Sequence, residues 1–410
     1  FKMKAFLYRG HGVYAKVHRM KRPEILAPAG SQESLQAALA AGADAVYFGL
    51  DEGFNARARA GNFPIQQLAP LVQEIHRHRV RAYLTLNTLI FESELAAVQR
   101  ILREAAGCGV DALIVQDPAV CLLARQLCPD LELHASTQMT ISSPEGGEFA
   151  RQLGIRRVVL PRELSLKEIA HFAAHNPGVE MEVFIAGALC VSWSGQCLSS
   201  ETWGGRSANR GQCAQACRHP YDLIVDGEPR DLGGLAYLLS PQDLGGFRAI
   251  EELIRLGVHT LKIEGRQKDA EYVFQAVQAV RSWVDTVMQG QQDQPSSQLN
   301  LQEHVRDLSL AYSRGLSDGF FGGSDHQSLV EGSLPRHRGL QLGRVEAIRN
   351  QQVWIAETAS PDDQGDRRFP MEGLQPLGAP LHQASGVPPA ALEPKAGMGV
   401  VFRGPSHVEQ

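Results

Sequence analysis

Four of the seven cysteines in this chain fall within one short segment, Cys190, Cys197, Cys213 and Cys217, spaced C-x6-C-x15-C-x3-C. The other three, Cys108, Cys121 and Cys128, lie apart in helix-like sequence. Thiolates are soft ligands, and four of them gathered by loops suit an iron–sulfur cube or a zinc ion. Gly195, Gly204, Gly205 and Gly211 allow the intervening backbone to wrap closely. The spacing favours the cluster. Structural zinc sites usually pair ligands about two to four residues apart, and the x6 pair is wider. Four buried, unrelated cysteines are the bland alternative.

Arginines form the second set. Arg57, Arg59, Arg206, Arg210, Arg218 and Arg266 fall in expected loops beside the cysteine segment, and Asn55 stands among them. A guanidinium fork matches a carboxylate or phosphate with two parallel bonds. For any single arginine a local acidic partner is the simpler reading, but as a set on one rim they point to an anionic substrate. The third set is Lys262-x-Glu264-x-Arg266. Strand alternation puts Lys262 and Glu264 on the same side, where they serve proton transfer or form a satisfied buried ion pair. His134 and Tyr47 read as strand residues of the core, and Asp44 and Asp243 as caps or turn residues.

These residues need a frame. From about 23 to 285 short apolar runs alternate with helical patterns. The runs are Glu24 to Ala27, Ala45 to Phe48, Arg81 to Leu86, Ala112 to Val115, Glu132 to His134, Arg157 to Leu160, Met181 to Ile185 and Thr260 to Ile263. Such repeats imply parallel strands with right-handed crossovers, and about eight of them predict an α/β (β/α)8 TIM-like barrel, with a doubly wound open sheet as runner-up. In a barrel the chemistry sits where the strands end, and the chemical residues above follow the expected strands. The barrel is expected over 23–330, with a Cys-rich insertion at 187–218. The stretch near 286–300 reads as a solvated loop. A small β domain is expected over 335–410, and its strand-like Gly399-Val400-Val401-Phe402 predicts that more protein followed. Residues 1–22 read as an extension outside the core, with Met20 as a natural start.

Composition narrows the function classes. The chain has 410 residues, 43% hydrophobic and 21% charged, with a formal net charge of -5, so no global positive field draws nucleic acid and any RNA contact rests on local arginines. No run of 18 apolar residues occurs, and the first residues lack the apolar core of a signal peptide. Both features lead to the expectation of a cytoplasmic protein with no membrane partner, where thiols stay reduced. G-x-S-x-G, H-E-x-x-H and the phosphate-loop motif are absent, as is the C-x3-C-x2-C triplet of radical enzymes.

Several stretches taken together resemble the peptidase U32, or collagenase-like protease, family. They are Glu24 to Gly30, Gly42 to Tyr47, Phe54 to Arg59, Gly187 to Cys190, Ser194 to Cys197, Asn209 to Arg218 and Leu261 to Arg266. The resemblance runs from about 23 to 345. It implies an oxygen-independent hydroxylation enzyme with a [4Fe–4S] cluster on Cys190, Cys197, Cys213 and Cys217. It also implies prephenate as a co-substrate, RNA as the partner and an electron donor of unknown identity. Within the family the stretch from Ser313 to Phe321, with His337 to Gly339 and Leu342 to Val345, is most similar to the branch acting on a cytidine of 23S ribosomal RNA. The branch acting on a tRNA wobble uridine is close behind. Ubiquinone-precursor hydroxylation fits less well, because Asp243-Leu244 is followed by glycine where one member of that branch has a ligand. Peptidase activity is the historical alternative. On this reading Lys262, Glu264 and Arg266 are the catalytic candidates. Asn55, Arg57, Arg59, Arg206, Arg210 and Arg218 are the substrate-binding candidates, and Phe54, Trp193 and Trp203 are available to stack a base.

Overall fold

The structure, a computed structural model, describes residues 21–340 and the backbone of 344–349 and 352–356. Seven strands come first: β1 (Glu24–Pro28), β2 (Ala45–Phe48), β3 (Arg81–Leu86), β4 (Ala112–Val115), β5 (Glu132–Ala135), β6 (Arg157–Val159) and β7 (Glu180–Ala188). Two short strands, β8 (Leu223–Val225) and β9 (Glu228–Arg230), form a hairpin. Then come β10 (Asp243–Gly245), β11 (Thr260–Ile263) and β12 (Leu316–Ser317). Strands β1 to β7 pair in sequence order, all parallel, and β11 pairs in parallel with both β7 and β1. That double pairing closes an eight-stranded barrel and rules out the open sheet.

Alternation along the strands makes two separate cores. Leu26, Ala45, Tyr47, Tyr83, Ala112 and Ile114 form the cluster inside the barrel. Their neighbours Ile25, Ala27, Val46, Phe48, Leu84, Leu113 and Val115 belong to the larger core under the helices. Helices α1 (Gln32–Ala40), α2 (Leu68–Arg77), α3 (Leu95–Gly107), α4 (Pro118–Leu127), α5 (Pro144–Gln152) and α6 (Leu166–His175) follow the first six strands in turn. The chain states where they start. Ser31, Asp117, Ser143 and Ser165 each accept a hydrogen bond from a first-turn N–H, and Pro118 and Pro144 open their helices.

After β7 come the short α7 (Ser199–Gly204) and then α8 (Ile250–Arg255), which precedes β11. The long α9 (Ala270–Met288) packs on α1, and α10 (Pro295–Ala311) packs on α9. The solvated loop expected near 286–300 is thus corrected: Pro295 starts α10 inside it. Only Leu301, Leu308 and Ser309 of that helix are buried, so its apolar stripe is thin. The short α11 (His326–Leu329) follows β12. Asp243 is also corrected. It is no turn residue but the start of β10, where its carboxylate accepts from Arg314 Nε at 3.0 Å. Of the expected small β domain, the antiparallel hairpin β13 (Arg344–Arg349) and β14 (Gln352–Ala356) is described. The extension 1–20 and the Gly399 to Phe402 strand lie outside the described residues. No described helix is long and apolar enough to cross a membrane.

The lower lumen is ionic. Glu24 accepts hydrogen bonds from Arg157 at 2.8 Å, Tyr83 at 2.9 Å and Thr260 at 3.1 Å, and it pairs with Arg81. Arg157 also reaches Glu180 at 2.7 Å, and Lys262 donates to Glu182 at 2.7 Å. Burial tends to raise the Glu182 carboxyl, but Lys262 and Arg157 outweigh it and hold its pKa low. Breaking such a network costs more than never building it. Arg157→Met is expected to lower unfolding stability by about 3–5 kcal/mol. Adding Glu24→Gln should recover part of the loss, since it removes a stranded buried charge. Urea melts of both variants check this.

Candidate active site

The upper end of the lumen is a small cavity in which charges from different strands meet. Lys262 Nζ lies 4.4 Å from the centre of the Tyr47 ring. One residue past the end of β11, Glu264 accepts from Arg57 Nε at 3.2 Å. Arg266 follows, buried at 4% exposure, and donates to Asn55 Oδ1 at 3.1 Å and Thr85 Oγ1 at 2.9 Å. Arg162, just after β6, sits over the Phe184 ring with its Cζ 3.7 Å from the centre and makes no hydrogen bond or ion pair among the described residues. These groups line one cavity together with Asn87, Ser136 and Gln138.

The charge balance is positive. Burial tends to raise the Glu264 carboxyl, but Arg57 and then Arg162 and Lys268 outweigh it, so its pKa is lowered and it stays ionised. Burial pulls Arg266 down to about 10 and also lowers Arg162. Both remain charged at neutral pH, and neither has a carboxylate in an ion pair. Burial likewise pushes the Tyr47 phenol up, so it stays protonated and donates to the Ile263 carbonyl at 2.9 Å.

Asn55 organises the loop after β2. It is fully buried, and Nδ2 donates to the Leu50 carbonyl at 3.1 Å while Oδ1 accepts from the Arg57 amide at 3.0 Å. Asn87 extends the lattice by accepting from the Ala56 amide at 2.9 Å and donating to Ser136 Oγ at 3.0 Å. The cysteine segment seats on this loop through Gly211. A Cβ there would lie 2.1 Å from the Asn55 carbonyl, and the backbone sits at φ +80. At the other end, Gly187 of β7 at φ +112 lets the strand approach the Glu264 backbone, where a Cβ would come within 2.4 Å.

The four thiols share one neighbourhood. None is in a disulfide. Cys217 feels the charge of Cys190, Cys213 and Cys197. Ser200 Oγ lies 3.9 Å from Cys197 Sγ and 3.8 Å from Cys213 Sγ. Burial pushes Cys217 up to about 11. Burial tends to raise Cys197 too, but the backbone N–H of Ser200 and the Ser192 side chain lower it on balance. Among the described residues no three His, Cys, Asp or Glu side chains converge closely enough for a single ion. The thiols are free, and thiolate is the donor type that iron–sulfur clusters take. They also adjoin the charged cavity, since Arg57 is influenced by Cys213 and Cys190 by Arg162.

The expected arginine rim divides. Arg210 is bound to Glu94 at 2.6 Å, and Arg218 spans Ser240, the Pro241 carbonyl and the Leu189 carbonyl. Both hold loops in place, and Arg57 is committed to Glu264. Arg59 and Arg206 make no ion pair among the described residues. Phe54 is half-buried and packs against the core. Trp193 and Trp203 are 46% and 59% exposed. The sequence places Arg162-Glu163 among the polar residues that follow strands, but the arginine set read from it omits Arg162.

The sequence profile of peptidase family U32 matches residues 30–331. A 23S rRNA 5-hydroxycytidine C2501 synthase of Escherichia coli is 37% identical over 340 residues, covering 82% of this chain and 51% of that protein. The chain therefore spans about half the length of that relative. A tRNA hydroxylation protein P1 of Bacillus subtilis is 34% identical, covering 74% of this chain and 72% of its own. A Porphyromonas gingivalis protein named collagenase is 34% identical, covering 73% of each.

Lys268 gives the site a measurable pH signature. Its Nζ sits 2.7 Å from the centre of the Tyr312 ring, and burial lowers its pKa to about 8. An unfolded lysine titrates near about 10.4. Between those values the unfolded chain binds more protons, so stability should rise with pH there. The difference in urea midpoint between the native chain and Lys268→Met is expected to shift in the native chain's favour across that window. A flat difference would remove Lys268 as its source.

Proposed function

The chain belongs to peptidase family U32, and from that premise we propose that it is an iron–sulfur enzyme of the cytoplasm. Its reaction is the hydroxylation of RNA without molecular oxygen, on a 23S ribosomal RNA cytidine or a tRNA wobble uridine. Cys190, Cys197, Cys213 and Cys217 would hold a [4Fe–4S] cluster, which when bound supplies electron transfer or activation of an oxygen donor. Prephenate, as co-substrate, brings carboxylates. The observation that carries the reading is the pair of guanidinium groups, buried Arg266 and half-buried Arg162, that make no ion pair among the described residues and lie close to the thiol segment.

The residues then take distinct roles. Arg162, seated over the Phe184 ring, offers its fork to a carboxylate. Arg266 is fixed by Asn55 and Thr85 and supplies positive field without leaving its seat. Glu264, ionised and held by Arg57, is placed to accept a proton. Lys262 is held by Glu182 and contributes charge to the cavity floor. Exposed Trp193 and Trp203 offer ring faces to unpaired bases. The peptidase alternative has less support. Ser136 accepts from Asn87, and no histidine lines the cavity among the described residues.

Cys197→Ala, expressed and purified without air, should lose the brown chromophore and fail to restore the RNA hydroxyl in a deletion strain, read by nucleoside mass spectrometry. Retention of both refutes the proposal. Arg162→Gln should keep the chromophore but raise KM for prephenate by about tenfold or more, in line with the loss of a charge-assisted hydrogen bond. An unchanged KM would remove Arg162 from the binding site.

A further inference from the structure

Two acceptors are left over inside the barrel, within the ionic lower lumen. His134 on β5 and Glu182 on β7 are both fully buried, and His134 Nδ1 and Glu182 Oε2 have no hydrogen-bond partner among the described residues. The other half of each side chain is committed. His134 Nε2 lies 2.8 Å from Glu132 Oε1, and Glu182 Oε1 accepts from Lys262 Nζ at 2.7 Å. The two loose halves are neighbours. Between β5 and β7 runs β6, whose Arg157 Nη1 stands 3.8 Å from Glu182 Oε2 and 3.4 Å from the Tyr83 hydroxyl. The Tyr83 ring in turn meets the His134 ring edge to face at 4.9 Å. His134 and Glu182 accordingly act on each other's charge. Arg157 is too far from Oε2 for a hydrogen bond, and its Nη1 is spent on Glu24 at 2.8 Å.

Protonation decides what fits between the loose atoms. Burial lowers the His134 pKa more than Glu132 raises it, so the ring is neutral at neutral pH. Burial tends to raise the Glu132 carboxyl, but His134 and then Arg156 outweigh it, and it stays ionised. An ionised carboxylate only accepts, so the single ring proton sits on Nε2 and Nδ1 keeps its lone pair. Glu182 is ionised as well, so its Oε2 is also an acceptor. Two buried acceptors call for one small molecule with two donors. That molecule is water, which serves such groups in protein interiors.

The site lies on a line between the two ends of the barrel. Glu132 begins β5, and its side chain is 27% exposed beside Arg156. Lys262 lines the charged cavity. We propose that a water bound between His134 Nδ1 and Glu182 Oε2 completes a proton path from Lys262, at the cavity floor, to Glu132 at the solvent. Lys262 hands a proton to Glu182 Oε1 and is recharged from the cavity. The carboxyl turns over and passes that proton to the water. The water protonates His134 Nδ1, and His134 releases its Nε2 proton to Glu132 and so to solvent. Each group takes up one proton and gives up one, and no electrons move. His134 and Glu182 are positioning residues that act on the reaction through Lys262. The use of the path rests on the RNA-hydroxylation reading, in which the proton accepted by Glu264 must leave while substrate covers the mouth. The water site does not rest on it.

A crystal structure of the full chain should show an ordered water within about 3.2 Å of both His134 Nδ1 and Glu182 Oε2. Nitrogen NMR of histidine-labelled protein should find His134 neutral and protonated at Nε2, a signal that needs no cluster. In initial-rate assays of RNA hydroxylation by the cluster-loaded chain, His134→Gln and Glu132→Gln should each lower kcat about tenfold or more at unchanged KM. Glu132→Gln guards against misfolding. It sits at the barrel's open edge and still offers His134 an acceptor, but it takes up no proton. A dry gap between the two atoms, or an unchanged kcat in Glu132→Gln, overturns the path. If a deletion strain keeps every RNA hydroxyl, the hydroxylation reading fails, and the water and the His134 signal still decide the site.

Discussion

The hydrogen bond from Arg266 Nη1 to Asn55 Oδ1 joins the parts of this protein that carry chemistry. Arg266 lies just past the end of β11, the strand that closes the barrel, and Asn55 lies in the loop after β2. Through its carbonyl, packed against Gly211, Asn55 seats the cysteine segment. Through its Oδ1 it also orders the amide of Arg57, whose guanidinium holds Glu264. A bond to a charged donor contributes about 1.5–3 kcal/mol, and leaving that donor buried without it costs at least as much. Barrel closure, thiol placement and the charged cavity are therefore coupled through one amide.

The barrel interior spends its polar groups unevenly. At the bottom, Glu24, Arg157, Glu180, Glu182 and Lys262 neutralise one another in direct contacts. At the mouth, Glu264 is the one carboxylate among the described lining residues, set against Arg57, Arg162 and Arg266, while Lys262 is already matched by Glu182. A desolvated excess of positive charge is unfavourable in an empty cavity and is relieved when an anion enters. The lower network gives rigidity, and the upper imbalance gives affinity for an anion.

Much of this was legible in the sequence, because parallel barrel strands are buried on both faces and read as short apolar runs. The expected Met181 to Ile185 strand grew to Glu180–Ala188, since Gly187 lets β7 run on past the barrel's edge. The α10 helix was missed because it buries few residues and opens on polar ones. The arginines could not be sorted from sequence. Arg57 finds Glu264 across 207 residues and Arg210 finds Glu94 across 116, whereas Arg162 finds no such partner. Only the assembled fold decides which guanidinium is left over. The thiol quartet was visible from its spacing, but its seat on the Asn55 loop was not.

Strand β10 runs antiparallel to the end of β7, with Asp243 opposite Ala188. The chain between them departs from and returns to a single spot on the barrel rim. Closing such an excursion costs entropy that grows only slowly with its length. The cysteine-bearing segment is in this sense a detachable appendage. It is held to the barrel by loop and side-chain contacts such as Arg210 to Glu94 and Ser194 to Glu163, and none of the parallel strand pairings runs through it. Exposure of the thiols to air would then follow the ease with which those contacts open, and a barrel that resists heat could still surrender its sulfur ligands early.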